Sequence, residues 1–281
     1  MHHMPPFTRQ ESPIELYDTA YAGSAQRVYQ EIRRETYDLD LGQTGWMMAE
    51  EFRGFWPLLH LTAGSRVLEF GCGVGGCAVY LARMTQAEVT GIDINENGIR
   101  NARQLAETEG QARLRFEQVD GAERLPFADE SFDAVFSNDA MCHIPNRLDA
   151  LNEWFRVLKP NGRALFTDAM IVTGAITNEE LATRSSIGRY LFLPPGENER
   201  LIAQAGFELL SSVDLTAGPA GISKRWHDAR AQKCDDLIQI EGERNFEGLQ
   251  KFLVCVHTVS KERRLSRFMY LANKQASFSG G

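Results

Sequence analysis

The chain has 281 residues, 43% of them hydrophobic and 24% charged, with a formal net charge of −8. That length and composition suit one large α/β domain, or a core with a small cap. The acidic balance and the lack of any Lys/Arg-rich run exclude a nucleic-acid partner, which calls for a basic face.

Residues 1–60 read as helical and aromatic-rich, without strand alternation. At Arg66 the pattern changes. Arg66–Phe70 is a short apolar run ending in glycines, and a helical stretch over Gly76–Arg83 follows. Glu88–Ile92 reads as the next strand and Glu96–Glu109 as the next helix. Leu114–Gln118, Phe132–Ser137 and Arg163–Thr167 read as further strands, with a helix over Asn146–Val157. Lys159-Pro160-Asn161-Gly162 is a turn signal set just before the fifth strand. Residues 169–195 read as an irregular insertion. Glu197–Ala205 is predicted as a helix stopped by Gly206, Phe207–Val213 as a sixth strand, and 221–263 as helical. Arg267–Ala272 reads as a last, edge-adjacent strand. Strands alternating with helices predict a doubly wound, mostly parallel, seven-stranded sheet covered on both faces. The expected organisation is an amino-terminal helical lid over 1–60 and a core over 61–281. That core carries lid insertions at about 169–195 and 215–265, beyond the carboxyl ends of the strands where ligands lie.

Five cysteines without a CxxC pair fit a reducing compartment and show no zinc spacing. No apolar run approaches the roughly 18 residues of a membrane span, and no leader pattern is seen. The expectation is a cytoplasmic protein without a membrane partner, as a monomer or homodimer.

The loop Gly71-Cys72-Gly73-Val74-Gly75-Gly76 follows a strand and opens a helix, the context of a nucleotide fingerprint. Gly71, Gly73 and Gly76 also satisfy the dinucleotide pattern, so this loop alone leaves a nicotinamide cofactor open. Asp93 lies 22 residues after Gly71 and is placed to accept bonds from ribose hydroxyls. Its alternative is a helix N-cap, which Asn95 itself can supply. Asp120, after the third strand, is a candidate for the adenine amino group or else a turn residue.

The ordered set Val67-Leu68-Glu69-Phe70-Gly71-Cys72-Gly73, Gly91-Ile92-Asp93, Leu125-Pro126-Phe127-Ala128-Asp129-Glu130-Ser131-Phe132-Asp133 and Leu158-Lys159-Pro160-Asn161-Gly162 resembles the class I S-adenosylmethionine-dependent methyltransferases over about residues 60–215. The resemblance implies a Rossmann-like fold, S-adenosyl-L-methionine as cofactor, and Glu69 as an anchor for its methionine part. A dinucleotide pyrophosphate, itself anionic, gives no reason for an acid there. The implied cofactor set is Glu69, Gly71, Gly73, Gly75, Asp93, Ile94, Asp120, Gly121 and Asn138.

Base-methylating enzymes carry an Asn/Asp/Ser-Pro-Pro-aromatic tetrapeptide after the fourth strand, and this chain does not. Ser137-Asn138-Asp139-Ala140-Met141-Cys142-His143 instead resembles the phosphoethanolamine and sarcosine/dimethylglycine N-methyltransferases, and Tyr21–Tyr29 resembles the lid helix of the former. The resemblance implies Tyr21 and His143 as a catalytic pair, with Asp139 beside the amine. The chain departs from that pattern at Ala169, where the phosphate-binding Tyr would stand, and in Gly188-Arg189-Tyr190, which is out of register. The anion site therefore reads as rebuilt, with Arg184, Arg189, Arg225 and Lys251 as available counter-charges. Trp46, Tyr190, Phe192 and Trp226 are candidates for a box around a methylated cation. Trp226, Tyr190, Arg189 and Tyr29 are the substrate-side candidates.

Asp139 and Asp168 raise a magnesium-dependent O-methyltransferase, but Ala169 stands where a further Asn ligand is needed, so no metal is expected. The leading expectation is methylation of the nitrogen of a small amine or amino acid. S-methylation of a thioether and O-methylation are alternatives within the fold. A nicotinamide oxidoreductase and an inactive cofactor-binding protein are alternatives of another class.

Overall fold

A computed structural model describes residues 16–276. The parts of the expected lid and core at 1–15 and 277–281 lie outside the described residues. The described residues begin with three short helices, α1 (Leu16–Ala22), α2 (Arg27–Thr36) and α3 (Ala49–Phe55). The first five strands alternate with helices as β1 (Arg66–Phe70), α4 (Gly76–Thr85), β2 (Glu88–Asp93), α5 (Glu96–Thr108), β3 (Leu114–Gln118), β4 (Phe132–Ser137), α6 (Arg147–Val157) and β5 (Leu158–Val172). Then come α7 (Asn178–Arg184), α8 (Glu197–Gln204), β6 (Glu208–Asp214), three helices α9 (Ala217–Ala231), α10 (Cys234–Glu241) and α11 (Glu243–Lys261), and finally β7 (Leu265–Asn273).

The seven strands form one sheet in the order β3-β2-β1-β4-β5-β7-β6. β1 pairs in parallel with β2 on one side and β4 on the other. The strand order therefore switches at β1, and a ligand crevice opens above the carboxyl ends there. Side chains alternate across the pleat. Val67 joins the layer that packs Phe52, Ala78 and Ile99, and Leu68 and Phe70 join the layer that packs Leu151, Trp154 and Ile202. α3, α4 and α5 thus cover one face, with α6 and α8 on the other. A separate cluster holds α2, α9 and α11 together through Ile32, Trp46, Ile222, Trp226 and Phe252.

The sequence reading left the direction of the edge-adjacent last strand open, and it differs from the structure in two other details. β7 runs antiparallel between β5 and the edge strand β6. β5 is longer than expected at both ends, and Lys159–Gly162 is an insertion inside it rather than a turn before it. Pairing steps from Phe132↔Leu158 to Ala134↔Arg163, with Asn161 in the left-handed region (φ 64°) and its N–H donating to the Lys274 carbonyl at 2.7 Å. The insertion after β5 is also less irregular than expected. It carries α7, opened by a full capping box in which Thr177 and Glu180 satisfy each other's backbone N–H groups. Among the described residues no helix is long and apolar enough to cross a membrane.

Candidate active site

One cavity of about 720 Å³ lies over the carboxyl ends of β1, β2, β3 and β4 and under α1, α7, α9 and α11, within the roughly 300–1,000 Å³ of small-molecule sites. Its floor is the glycine loop. Gly71, Gly73 and Gly75 all take left-handed backbone (φ 76°, 53° and 80°), which strains any residue with a Cβ. At Gly73 a Cβ would also stand 2.9 Å from the Tyr21 hydroxyl, so the loop passes directly under that ring.

Polar groups ring this half of the cavity. Asp93 accepts the Gly73 N–H at 2.8 Å and the Asn95 N–H at 2.9 Å, and Asn95 caps α5 by accepting from Gly98 N–H at 2.9 Å. The cap duty falls to Asn95, which leaves the Asp93 carboxylate on the cavity wall. Burial raises its pKa, and the Asn95 and Gly73 N–H groups oppose that. Asp120 accepts from Ala122 N–H at 2.9 Å and Gly121 sits beside it, while Ile94 is 64% exposed at the rim.

Glu69 differs from these. It is 3% exposed, and its Oε2 has no hydrogen-bond partner among the described residues. Burial first, and the Asp93 charge second, push the carboxyl up to about 8. A buried acid with an empty acceptor on a cavity wall calls for a cationic donor from outside the chain. The amino group of a methionine moiety is such a donor, so these residues fit S-adenosylmethionine.

The other half of the cavity is aromatic and basic. His143 Nδ1 lies 2.9 Å from the Arg189 carbonyl, which can only accept. The proton therefore sits on Nδ1, and the Nε2 lone pair faces the Tyr17 hydroxyl at 3.2 Å. Tyr17 donates to His143, so Tyr190 donates to Tyr17, at 3.3 Å. Burial lowers the His143 pKa, the nearby Arg184 charge lowers it further, and the bond to Arg189 raises it. The result is a neutral imidazole at ordinary pH, with its lone pair aimed through a phenol into the cavity.

The structure places several sequence-predicted residues differently from expectation. Tyr21 sits over the glycine loop, and the hydroxyl beside His143 belongs to Tyr17, one helical turn earlier. Asp139 is on the cavity wall, but both its oxygens are committed. Arg267 Nε donates to them at 2.9 and 3.1 Å, Thr167 Oγ1 donates at 2.9 Å and Trp46 N–H at 3.2 Å. The Asp139 backbone is left-handed (φ 53°), held by its N–H donating to Thr167 Oγ1 at 2.9 Å. Asn138 accepts from the same guanidinium, at 3.0 Å. Arg267 also pairs with Glu51 of α3 at 2.6 Å, tying the amino-terminal helices to the loop after β4.

Tyr29 lies outside the cavity and donates to Glu241 at 3.1 Å, because α2 turns that face toward α10. Arg189 lines the rim, and its backbone carbonyl is what His143 uses. Trp226 lines the wall 6.2 Å from Trp46. The box expected around a methylated cation is filled by the chain itself, since the Arg184 guanidinium lies over Tyr190 and Trp46. Asp168 pairs with Arg147 and accepts from Asn198 at 3.0 Å, so it and Asp139 answer to different arginines and do not converge on a metal.

Comparison with known proteins gives a consistent picture. A methyltransferase-domain family model matches residues 68–166. O-methyltransferase rstn1 of Aspergillus nomiae is 31% identical over 157 residues, 54% of this chain and 68% of that protein. Glycine/sarcosine/dimethylglycine N-methyltransferase of Actinopolyspora halophila is 40% identical over 153 residues, covering 54% of this chain and 27% of that one. The structure of phosphoethanolamine N-methyltransferase 2 of Haemonchus contortus, in complex with S-adenosyl-L-methionine, superposes with a TM-score of 0.74. It is 19% identical, covering 92% of this chain and 60% of that one, and shares the fold. The chain spans 66%, 64% and 61% of the length of three further curated relatives.

Proposed function

We propose the reaction from one premise: this chain belongs to the S-adenosylmethionine-dependent methyltransferases. Within that family, we read it as transferring the methyl group to the nitrogen of a small amine or amino acid. S-adenosylmethionine supplies an electrophilic methyl group. Glu69 would hold its amino group, Asp93 its ribose hydroxyls and Asp120 its adenine edge. The glycine loop, Ile94, Gly121 and Asn138 would shape the rest of that half. The helices at 16–59 and α9–α11 act as the lid that excludes water.

The observation that carries the acceptor reading is the Tyr190–Tyr17–His143 relay, which lines the same cavity as Glu69. An attacking nitrogen must lose a proton, and a neutral imidazole with its lone pair on a phenol takes it. Tyr17 positions the nucleophile and passes the proton, and His143 stores it. A thioether has no proton to lose and no use for this relay. A hydroxyl acceptor uses the same relay, and the O-methyltransferase name among the relatives makes it the second reading. The test is transfer from labelled S-adenosylmethionine to a panel of amines, amino acids, phenols and thioethers. Label on a nitrogen supports the reading, and label confined to a thioether overturns it.

A further inference from the structure

Among the described residues, four arginines are buried to 2% exposure or less: Arg147, Arg184, Arg230 and Arg267. Three have carboxylate partners. Arg147 pairs with Asp168, Arg230 with Glu241, and Arg267 with both Asp139 and Glu51. Arg184 has no carboxylate within 4.0 Å among the described residues, and its Nε and Nη1 have no hydrogen-bond partner there. Its guanidinium carbon instead lies over three ring faces, Tyr190 at 4.7 Å, Phe252 at 5.0 Å and Trp46 at 5.7 Å. Arg184 also lines the cavity.

Ring faces attract the flat side of a guanidinium. They do nothing for its N–H edge, which is built to hold a carboxylate with two parallel bonds. A buried charge left in this state is costly, and the other three arginines show how this fold meets that cost. For Arg184 the missing anion must come from a ligand. We propose that Arg184 is the counter-ion for a carboxylate on the methyl acceptor, which makes the acceptor a small carboxylic acid, such as an amino acid. This rests on the methyl-transfer reading above and specifies the acceptor class.

Position supports the assignment. Tyr190 touches both groups, with the Arg184 guanidinium carbon 4.7 Å and the His143 ring 4.6 Å from its ring centroid, so anion and nucleophile sit beside one shared ring. The charge count also selects the anion. Arg184 is one buried cation, and Arg189, also on the cavity lining, is exposed, so the pocket balances a monoanion and not a phosphate dianion. The same cation repels a quaternary ammonium from the ring faces it occupies.

The test is binding to the protein saturated with S-adenosylhomocysteine, read as a melting shift. The probes are matched acids and amides: glycine and glycinamide, 3-phenylpropionate and 3-phenylpropionamide, with inorganic phosphate alongside. We expect at least one acid to bind tenfold or more tightly than its amide. Arg184→Met should abolish that preference with less than a twofold change in S-adenosylhomocysteine affinity, and Arg184→Lys should retain part of it. Acids and amides that bind alike in the wild type overturn the proposal without recourse to any variant. So does phosphate binding more tightly than every acid. A tenfold loss of S-adenosylhomocysteine affinity in Arg184→Met also overturns it, by placing the guanidinium on the cofactor's own carboxylate. Because the readout is binding, an acid preference without methyl transfer to nitrogen would refute the nitrogen reading and leave this one intact.

Discussion

Replacing Glu69 by Gln keeps the size of a buried side chain and removes the carboxylate that a ligand ammonium would pair with. Gln can still accept the Ala78 N–H through its oxygen, and its amide nitrogen takes the place of the unpartnered Oε2. Two opposite effects are expected. A charge-assisted hydrogen bond is worth about 1.5–3 kcal/mol, so S-adenosylhomocysteine affinity should fall roughly 10- to 150-fold. Folding should respond in the other direction. The folded carboxyl titrates near 8 against an ordinary 4.5, so between those values the folded state holds more protons than the unfolded one. Stability from this group is therefore lost as pH rises through that window, by at most ~1.4 kcal/mol per pH unit. Gln does not titrate, so the ligand-free variant should melt above the wild type at pH 8.5, with a smaller gap at pH 6. Pairing with a ligand ammonium also drives the proton off Glu69. Calorimetry at pH 7 in buffers of different ionisation enthalpy should find close to one proton released by the wild type and none by the variant. A variant that binds S-adenosylhomocysteine within twofold of wild type, or a wild type that releases no proton, would refute the reasoning.

His143→Ala should lower turnover by about 10²–10⁴-fold, the usual worth of a positioned base. In the wild type, kcat should rise with pH through a midpoint below 6.5, since burial holds the imidazole neutral, and the variant should lose that limb. Tyr17→Phe should lower kcat with little change in cofactor affinity, and Tyr21→Phe should weaken cofactor binding and leave the His143 limb in place. Equal effects of the two would contradict the assignment of the relay to Tyr17. Arg267→Met leaves the buried Asp139 carboxylate and the partly exposed Glu51 without a counter-charge. At about 3–5 kcal/mol for breaking such a pair, its Tm should fall by about 5–9 °C, and a shift under 2 °C would show the network to be dispensable.

The alternation of short apolar runs with helices is a local signal, so the five parallel strands and both flanking layers were legible from residue pattern alone. The reversal of β7 was not, because an apolar run carries no record of direction. Lys159–Gly162 has turn chemistry wherever it stands, and only pairing with β4 and Lys274 makes it part of β5. Thr177 and Glu180 spell a capping box, and that signal would have found α7. In the site, Glu69 and Asp93 stand in the last residues of their strands and Asp120 just past the third, so they were readable in order. Tyr17 was missed because Tyr17 and Tyr21 are four residues apart, on one face of one helix, where sequence cannot say which reaches His143. Arg184 appeared only as one of four counter-charges. Its burial depends on Trp46, Tyr190 and Phe252, brought together from three distant segments.

The destination of the transferred methyl group decides whether this chain methylates nitrogen. Incubation with methyl-labelled S-adenosylmethionine and paired amino acids, amines, phenols and thioethers, with the label located by mass spectrometry, addresses that directly. The expected result is label on the nitrogen of a carboxylate-bearing acceptor, one S-adenosylhomocysteine released per methyl group, and loss of both in His143→Ala. Label on a thioether sulfur at a rate indifferent to His143, or tight cofactor binding with no transfer to any acceptor, would contradict it.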